Sequence, residues 1–214
     1  MALLLSVLEQ GMIYGILALG VYITYKILDF PDLTVDGSFP FGAAITVRLI
    51  NGFGVPAILT LPIAFLGGAL VGICTGLIHV KLKVRDLLSG IIMMTGLYTI
   101  NLWVAGSGYV AIFDKENIFN NSFVNSITPG FLVNFKNVII IFLITMVAKY
   151  LLDWYMSTKS GFLLRAVGDN DTIVTSLGVD KGLVKIVGLS IANGLVSLSG
   201  CIYAQQQRSF EISI

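Results

Sequence analysis

Six apolar stretches divide this chain, at residues 5–26, 37–51, 56–80, 87–105, 136–156 and 183–206. Crossing the hydrocarbon core of a bilayer takes roughly 20 predominantly apolar residues in a helix, and fewer where the ends are buried in protein. The chain has 214 residues, 56% hydrophobic and 12% charged, with a mean hydropathy of +0.91. A soluble domain carries about 25% charged residues, and a fold this small lacks the interior to hide the surplus apolar surface. The expected fold is all-α: a polytopic transmembrane helix bundle of about six segments, a single domain over residues 1–214 with lipid around it. The second and fourth stretches are short and rich in Gly, Ser or Thr. Short or broken segments are expected beside a translocation path, where protein rather than lipid surrounds the backbone.

Basic residues orient the segments. Lys81, Lys83 and Arg85 follow the third, and Lys159, Arg165, Lys181 and Lys185 lie between the fifth and sixth. Positive charge collects in cytoplasmic loops, so both loops are expected inside. Lys26 and "DFPDLT" then also lie inside, while the N-terminus, "NGFGVP" and the 106–135 loop, whose only basic residue is Lys115, lie outside. "MALLLSVLEQG" lacks the basic region and cleavage site of a signal peptide and is expected to begin the first helix.

Gly68, Gly72 and Gly76 recur every four residues, as do Gly11 and Gly15. Small residues at that spacing form a groove into which another helix backbone packs. By itself this predicts helix packing and says nothing of substrate.

No enzyme constellation is present. There is no Gly-rich phosphate loop with Lys-Ser/Thr, and the single His79 has no partners for a triad. Cys74 and Cys201 sit in apolar runs without metal-ligand spacing, where cysteine behaves as a small hydrophobe. A net charge of +1 offers no field for nucleic acid. Glu9 is an intramembrane or interfacial carboxylate. Ser38, Thr95, Tyr98 and Asn101 are polar side chains in the short segments; they are candidates to line a path, against the simpler reading of ordinary interhelical hydrogen bonds.

Residues 157–182 form a long polar interruption. Within it "TIVTSLG" is expected to be a short helix with Asp171 as N-cap, an apolar face of Ile173, Val174 and Leu177, and Gly178 just past its end. Such a face outside the membrane marks either a partner-docking site or a helix lying flat on the interface.

"GFLLRAVGDNDTIVTSLGVDKG" resembles the cytoplasmic coupling loop of permease subunits of ABC importers, with its Gly, Arg-Ala, Asn and closing Leu-Gly-Val. "LEQGMIYGILALGVYITYKIL", "RDLLSGIIMMTGLYTINLWVAGSG" and "VGLSIANGLVSLSGCIYAQQQ" resemble, in order, the first helix, the fourth segment and the post-loop helix of the branched-chain amino-acid permease family. "LDFPDLTVDGSF" is most similar to its tryptophan/tyrosine-type amino-acid importer subgroup. The resemblance implies a non-enzymatic transport subunit in a bacterial plasma membrane. Its partners would be a second permease subunit, ABC ATPase subunits that bind ATP and Mg, and an extracytoplasmic substrate-binding protein; no cofactor belongs to this chain. Ile173, Val174, Leu177 and Gly178 would dock on the ATPase, with Arg165, Asp169 and Asn170 fixing the loop. Family permeases continue for two further helices, so a chain ending at "RSFEISI" is expected to lack them. An ion-gradient-driven carrier, and an ABC importer of nucleosides or sugars, stay open as alternatives.

"ILDFPDLTVDGSFPFGAA", residues 27–44, holds Asp29, Asp32 and Asp36 between apolar stretches. Its spacing matches no metal motif. Pro31 stops the first helix, and Asp36 or Ser38 is expected to cap the second, whose first turn tolerates Pro40. Whether Asp36 also lines an inner gate is left open by the sequence.

Overall fold

The computed structural model describes residues 2–112, 115–121, 135–176 and 178–212, with residues 2, 171 and 173 described by their backbone alone. Helix α1 (Ala2–Tyr22) continues into a π-helical turn (Ile23–Ile27) and stops. The Leu28 amide bonds back to the Ile23 carbonyl, and Asp29 adopts a left-handed φ of 50°, which Asp tolerates better than most side chains. Helix α2 (Val35–Phe53), a 3₁₀ turn (Ala57–Leu59), α3 (Thr60–Lys81) and α4 (Asp86–Ala105) follow, each reversing the last. After strand β1 (Tyr109–Ala111) come α5 (Lys136–Met156), the short α6 (Lys159–Asp169) and α7 (Asp171–Ser176), and then α8 (Lys181–Gln207). Strand β2 (Ser209–Glu211) closes the chain's described part, pairing antiparallel with β1 so that Val110 faces Phe210.

Among the described residues, five helices are long and apolar enough to cross a membrane: Leu3–Ile27, Ala57–Lys81, Asp86–Ala105, Lys136–Met156 and Lys181–Gln207. The expected second segment is α2, longer at both ends than the 37–51 of the sequence reading, and eleven of its 19 residues are buried. The expected fourth segment is neither short nor broken. It runs unbroken for 20 residues, and its hydroxyls are satisfied within it, Ser89 by the Asp86 carbonyl and Thr95 by those of Ile91 and Ile92.

Helix α8 is the centre of the bundle. Sixteen of its 27 residues are buried, and it packs against α3, α2 and α1. The glycine groove explains the closest of these contacts. A Cβ at Gly68 or Gly72 would overlap the α8 carbonyl oxygens of Asn193 and Leu189, and one at Gly76 would lie 2.8 Å from Ile186 Cγ1. Gly42 of α2 and Gly200 of α8 are likewise pressed against the backbones of Ser197 and Phe39. Gly11 and Gly15, by contrast, have nothing within 4 Å of an added Cβ.

Two capping expectations are corrected. Neither Asp36 nor Ser38 caps α2: its N-cap is Thr34, without a side-chain cap bond, and Asp32 Oδ1 instead accepts the Thr34 amide at 2.8 Å. Asp32 lies within the break, four residues before Asp36, and meets the Thr34 N–H, so it pre-empts the later carboxylate. Asp171 does not cap α7 either. Asn170 Oδ1 accepts from the Thr172 amide and hydroxyl, which places the cap one residue earlier. At the far end Gly178 takes a φ of 75°, and its amide bonds to the Thr175 carbonyl while that of Val179 bonds to Val174, a Schellman ending.

The two glycine sets predict opposite behaviour. Gly72→Ala is expected to cost about 1–3 kcal/mol through overpacking, whereas Gly15→Ala, unhindered within the chain, should not lower stability. Thermal unfolding in detergent checks this: equal midpoints for the two variants would refute the α3–α8 contact.

Candidate functional site

Apolar neighbours make the helix break costly unless its polar groups find partners inside the protein. They do. Asp32 is 2% exposed, and both of its carboxylate oxygens accept hydrogen bonds. Oδ1 takes the Thr34 amide, and Oδ2 takes Asn193 Nδ2 of α8 at 2.8 Å. Asn193 also donates to the Leu189 carbonyl, and its Oδ1 accepts from Ser38 Oγ at 2.6 Å. Thr34 Oγ1 lies 3.1 Å from Thr75 Oγ1 of α3. Asp32 forms no ion pair with another described residue. A fully buried carboxylate is thus held by neutral donors alone.

Sequence reasoning named Asp32 but gave it no role, and missed Asn193 and Thr34. A usable signal was present: "SIANGLVSLSG" places an Asn and three Ser in the middle of the last apolar stretch, and each such group must be satisfied in a dry interior.

Beside the break, α2 and α4 enclose a cavity of about 270 Å³. Asp36, Gly37 and Pro40 line it from α2; Met94, Thr95, Tyr98 and Asn101 line it from α4, with Ile212 at one edge. Four of the five candidate path residues therefore meet at one cavity, while Ser38 turns away to Asn193. Pro40, sitting inside α2, has no N–H for the Asp36 carbonyl, which weakens the helix at the cavity wall. Asn101 Nδ2 donates to the Gly37 carbonyl at 3.1 Å, which orients the amide and leaves its Oδ1 buried without a partner. The walls offer a carboxylate, an unpaired amide oxygen and two hydroxyls, with no cationic side chain among the lining residues. Such a set can accept hydrogen bonds from a small polar solute.

The loop between α5 and α8 departs from expectation. Val174 is fully buried, packed in the same apolar cluster as Leu164, Val167 and Val184, so it is unavailable to a partner. The sequence reading left this apolar face to a partner or to the membrane interface; α6 and α7 instead fold back over the bundle end, where Val174 joins the chain's own core. Gly161, tight against Met156, lets α6 turn directly under α5. Arg165, Asp169, Asn170 and Gly178 are exposed at this end, and Phe162 is 62% exposed beside them. Leu177 lies outside the described residues, as does the side chain of Ile173.

Glu9 is buried at the opposite end, where its Oε2 accepts from Gln206 Nε2 at 3.0 Å. His79 lies edge-on to Phe30 with its Nδ1 2.9 Å from the Val84 carbonyl oxygen. No group of three or more His, Cys, Asp or Glu able to hold a metal occurs among the described residues. A groove of about 780 Å³ between α3, α5 and α8 is walled by Leu61, Phe65, Leu143, Val147, Leu152 and Leu195 and offers lipid-like chemistry only.

Comparison with known proteins accounts for this arrangement. Residues 3–214 match the family described as branched-chain amino acid transport system / permease component. A tyrosine transport system permease protein of Clostridioides difficile is 42% identical over 203 residues, 94% of this chain and 64% of the relative. A probable branched-chain amino acid transport permease of Methanocaldococcus jannaschii is 26% identical over 204 residues, 91% of this chain and 64% of the relative. A ribose import permease of Haemophilus influenzae is 25% identical over 209 residues, 96% of this chain and 62% of the relative. The chain thus spans less than two thirds of the length of these three relatives. No solved structure matches. With almost every residue covered by one family description, the chain belongs to the branched-chain amino acid transport permease family.

Proposed function

We propose that the chain is the permease subunit of an ABC-type importer that forms the path for an amino acid or a similar small polar solute. The observation that carries this reading is the 42% identity to a tyrosine transport permease across 94% of the chain. Its partners are a second permease subunit, ATPase subunits that bind ATP and Mg²⁺, and an extracytoplasmic binding protein. The subunit is multi-pass in the plasma membrane, N-terminus outside, because Lys81, Lys83, Arg85, Lys159, Arg165 and Lys181 gather at one end of the bundle.

On this reading the cavity between α2 and α4 belongs to the path, with Asp36, Thr95, Tyr98 and Asn101 facing the solute. The ATPase docks on the exposed rim of the basic end, where Phe162 of α6 supplies an apolar anchor and Arg165, Asp169 and Asn170 surround it. An exposed aromatic ringed by polar groups is the usual form of an interface hot spot.

The buried carboxylate Asp32 favours a second reading, a carrier driven by an ion gradient, since intramembrane carboxylates often bind the coupling ion. Uptake into vesicles loaded with ATP, compared with vesicles given only a proton or sodium gradient, separates the two. ATP-independent uptake would end the ABC reading.

Two substitutions test the assignments in a reconstituted complex. Phe162→Asp is expected to reduce uptake at least about tenfold, as for a hot-spot aromatic, while the permease still inserts; co-purification with the ATPase should be lost. Asn101→Ala should reduce uptake about three- to tenfold by removing the unpaired acceptor and the Gly37 bond, with ATPase association unchanged. Wild-type uptake by either variant removes that residue from its role.

A further inference from the structure

The break at residues 27–34 is touched from four sides. A Cβ at Gly168 of α6 would overlap the Ile27 carbonyl oxygen, and one at Gly90 of α4 would lie 2.7 Å from the Leu33 amide nitrogen. Leu28 and Leu164 of α6 both meet α8 at Gly188, at 3.2 and 3.1 Å from its added Cβ. Phe30 packs against His79 of α3, ring centroids 5.0 Å apart. Close-packed backbone has no slack. A displacement of α6 therefore reaches the break directly.

From the break the connections inward are polar. Asp32 is bonded to Asn193, and Asn193 to Ser38. Ser38 lies between Gly37 and Pro40 on α2, and both of those line the α2–α4 cavity. Buried carboxylates are poor stabilisers, since apolar side chains of similar volume often serve as well or better. What this group supplies is a directed set of bonds that two helices can make or release as a unit. The Asn193 amide gives one N–H to Asp32 and the other to the Leu189 carbonyl while its Oδ1 accepts from Ser38, so the side chain is fixed on three sides and passes a movement of one partner to the others.

We propose that Asp32, Asn193 and Ser38 form a latch that transmits movement of α6 to the wall of the α2–α4 cavity, with Asp32 and Asn193 as positioning residues that never touch the solute. The proposal rests on the ATP-driven reading above and deepens it. It is distinct from the docking surface: it concerns how a push on α6, once delivered, reaches α2.

The experiment uses the complete complex of permease, ATPase and binding protein in liposomes, and measures solute uptake and ATP hydrolysis together. If the wild-type complex shows no ATP-dependent uptake, the functional reading fails and the latch with it. If it does, the variants decide. Asp32→Asn must lose one bond whichever way its amide turns, because a donor then faces either Thr34 N–H or Asn193 Nδ2. Solute moved per ATP is expected to fall about tenfold, as for loss of a buried charge-assisted bond, while hydrolysis persists. The exchanged pair Asp32→Asn with Asn193→Asp restores a donor opposite an acceptor between the two side chains but loses the bond to the Leu189 carbonyl, so it should recover the ratio only in part. Ser38→Ala, which deletes one hydroxyl and so tests the latch where the other variants do not assemble, should lower the ratio about threefold or more. A ratio equal to wild type in Asp32→Asn or Ser38→Ala, with complex assembled, overturns the latch.

Discussion

The closest contact in this protein is between backbones. α8 is approached so tightly by α3 and α2 that Gly68, Gly72, Gly42 and Gly200 have no room for a methyl group. In a bilayer this matters more than it would in water. Lipid tails are as apolar as leucine, so helices gain nothing by simply hiding hydrophobic surface, and association depends on van der Waals fit and interhelical hydrogen bonds. The glycines bring the backbones together, and that nearness decides where α8, and every polar group it carries, can lie.

Those polar groups follow from the same geometry. Ser197 Oγ donates to the Ala64 carbonyl of α3 and Ser199 Oγ to the Ile13 carbonyl of α1, both at 2.7 Å. Gln205 Nε2 donates to Thr60 Oγ1 at 2.8 Å, and its Oε1 accepts from the Ile118 amide. These bonds tie α8 to α3, α1 and the segment at Ile118, and those to α3 rely on the close approach that the glycines permit. In a dry interior an unmade bond costs more than a made one contributes. The network therefore specifies register as much as it adds stability.

Much of the architecture was legible in the residues. Hydropathy located the spans to within a few positions, because length and apolarity are properties of one segment at a time. The Gly68–Gly72–Gly76 spacing marked a packing face for the same reason. Thr95, Tyr98 and Asn101 stood out as polar groups in apolar surroundings, and three of them with Asp36 share one cavity. What remained hidden depended on distance along the chain. Asp32 and Asn193 are 161 residues apart, so nothing local pairs them, and Asp36 looked the better cap until Asp32 was seen to occupy the Thr34 amide. Val174 misled because amphipathic patterning reports that a face is apolar and never says what covers it. Here the cover is Leu164 and Val184 from the chain itself.

The small β1–β2 ribbon has a mechanical consequence. It holds the end of α8 against the end of α4, with Phe210 fully buried between Val110 and Ala204 neighbours, and Asn117 adds a bond to the Gln205 carbonyl. At the other terminus α8 meets the short α6 and α7, the Leu28 turn, and the end of α3, where a Cβ at Gly182 would lie 2.5 Å from Val80 Cγ1. Fastened at one end by the ribbon and packed along its length against α3, α8 cannot slide along its own axis. A force at the basic end is therefore taken up by α3 and α8 together, joined as one stiff unit at Gly68, Gly72 and Gly76.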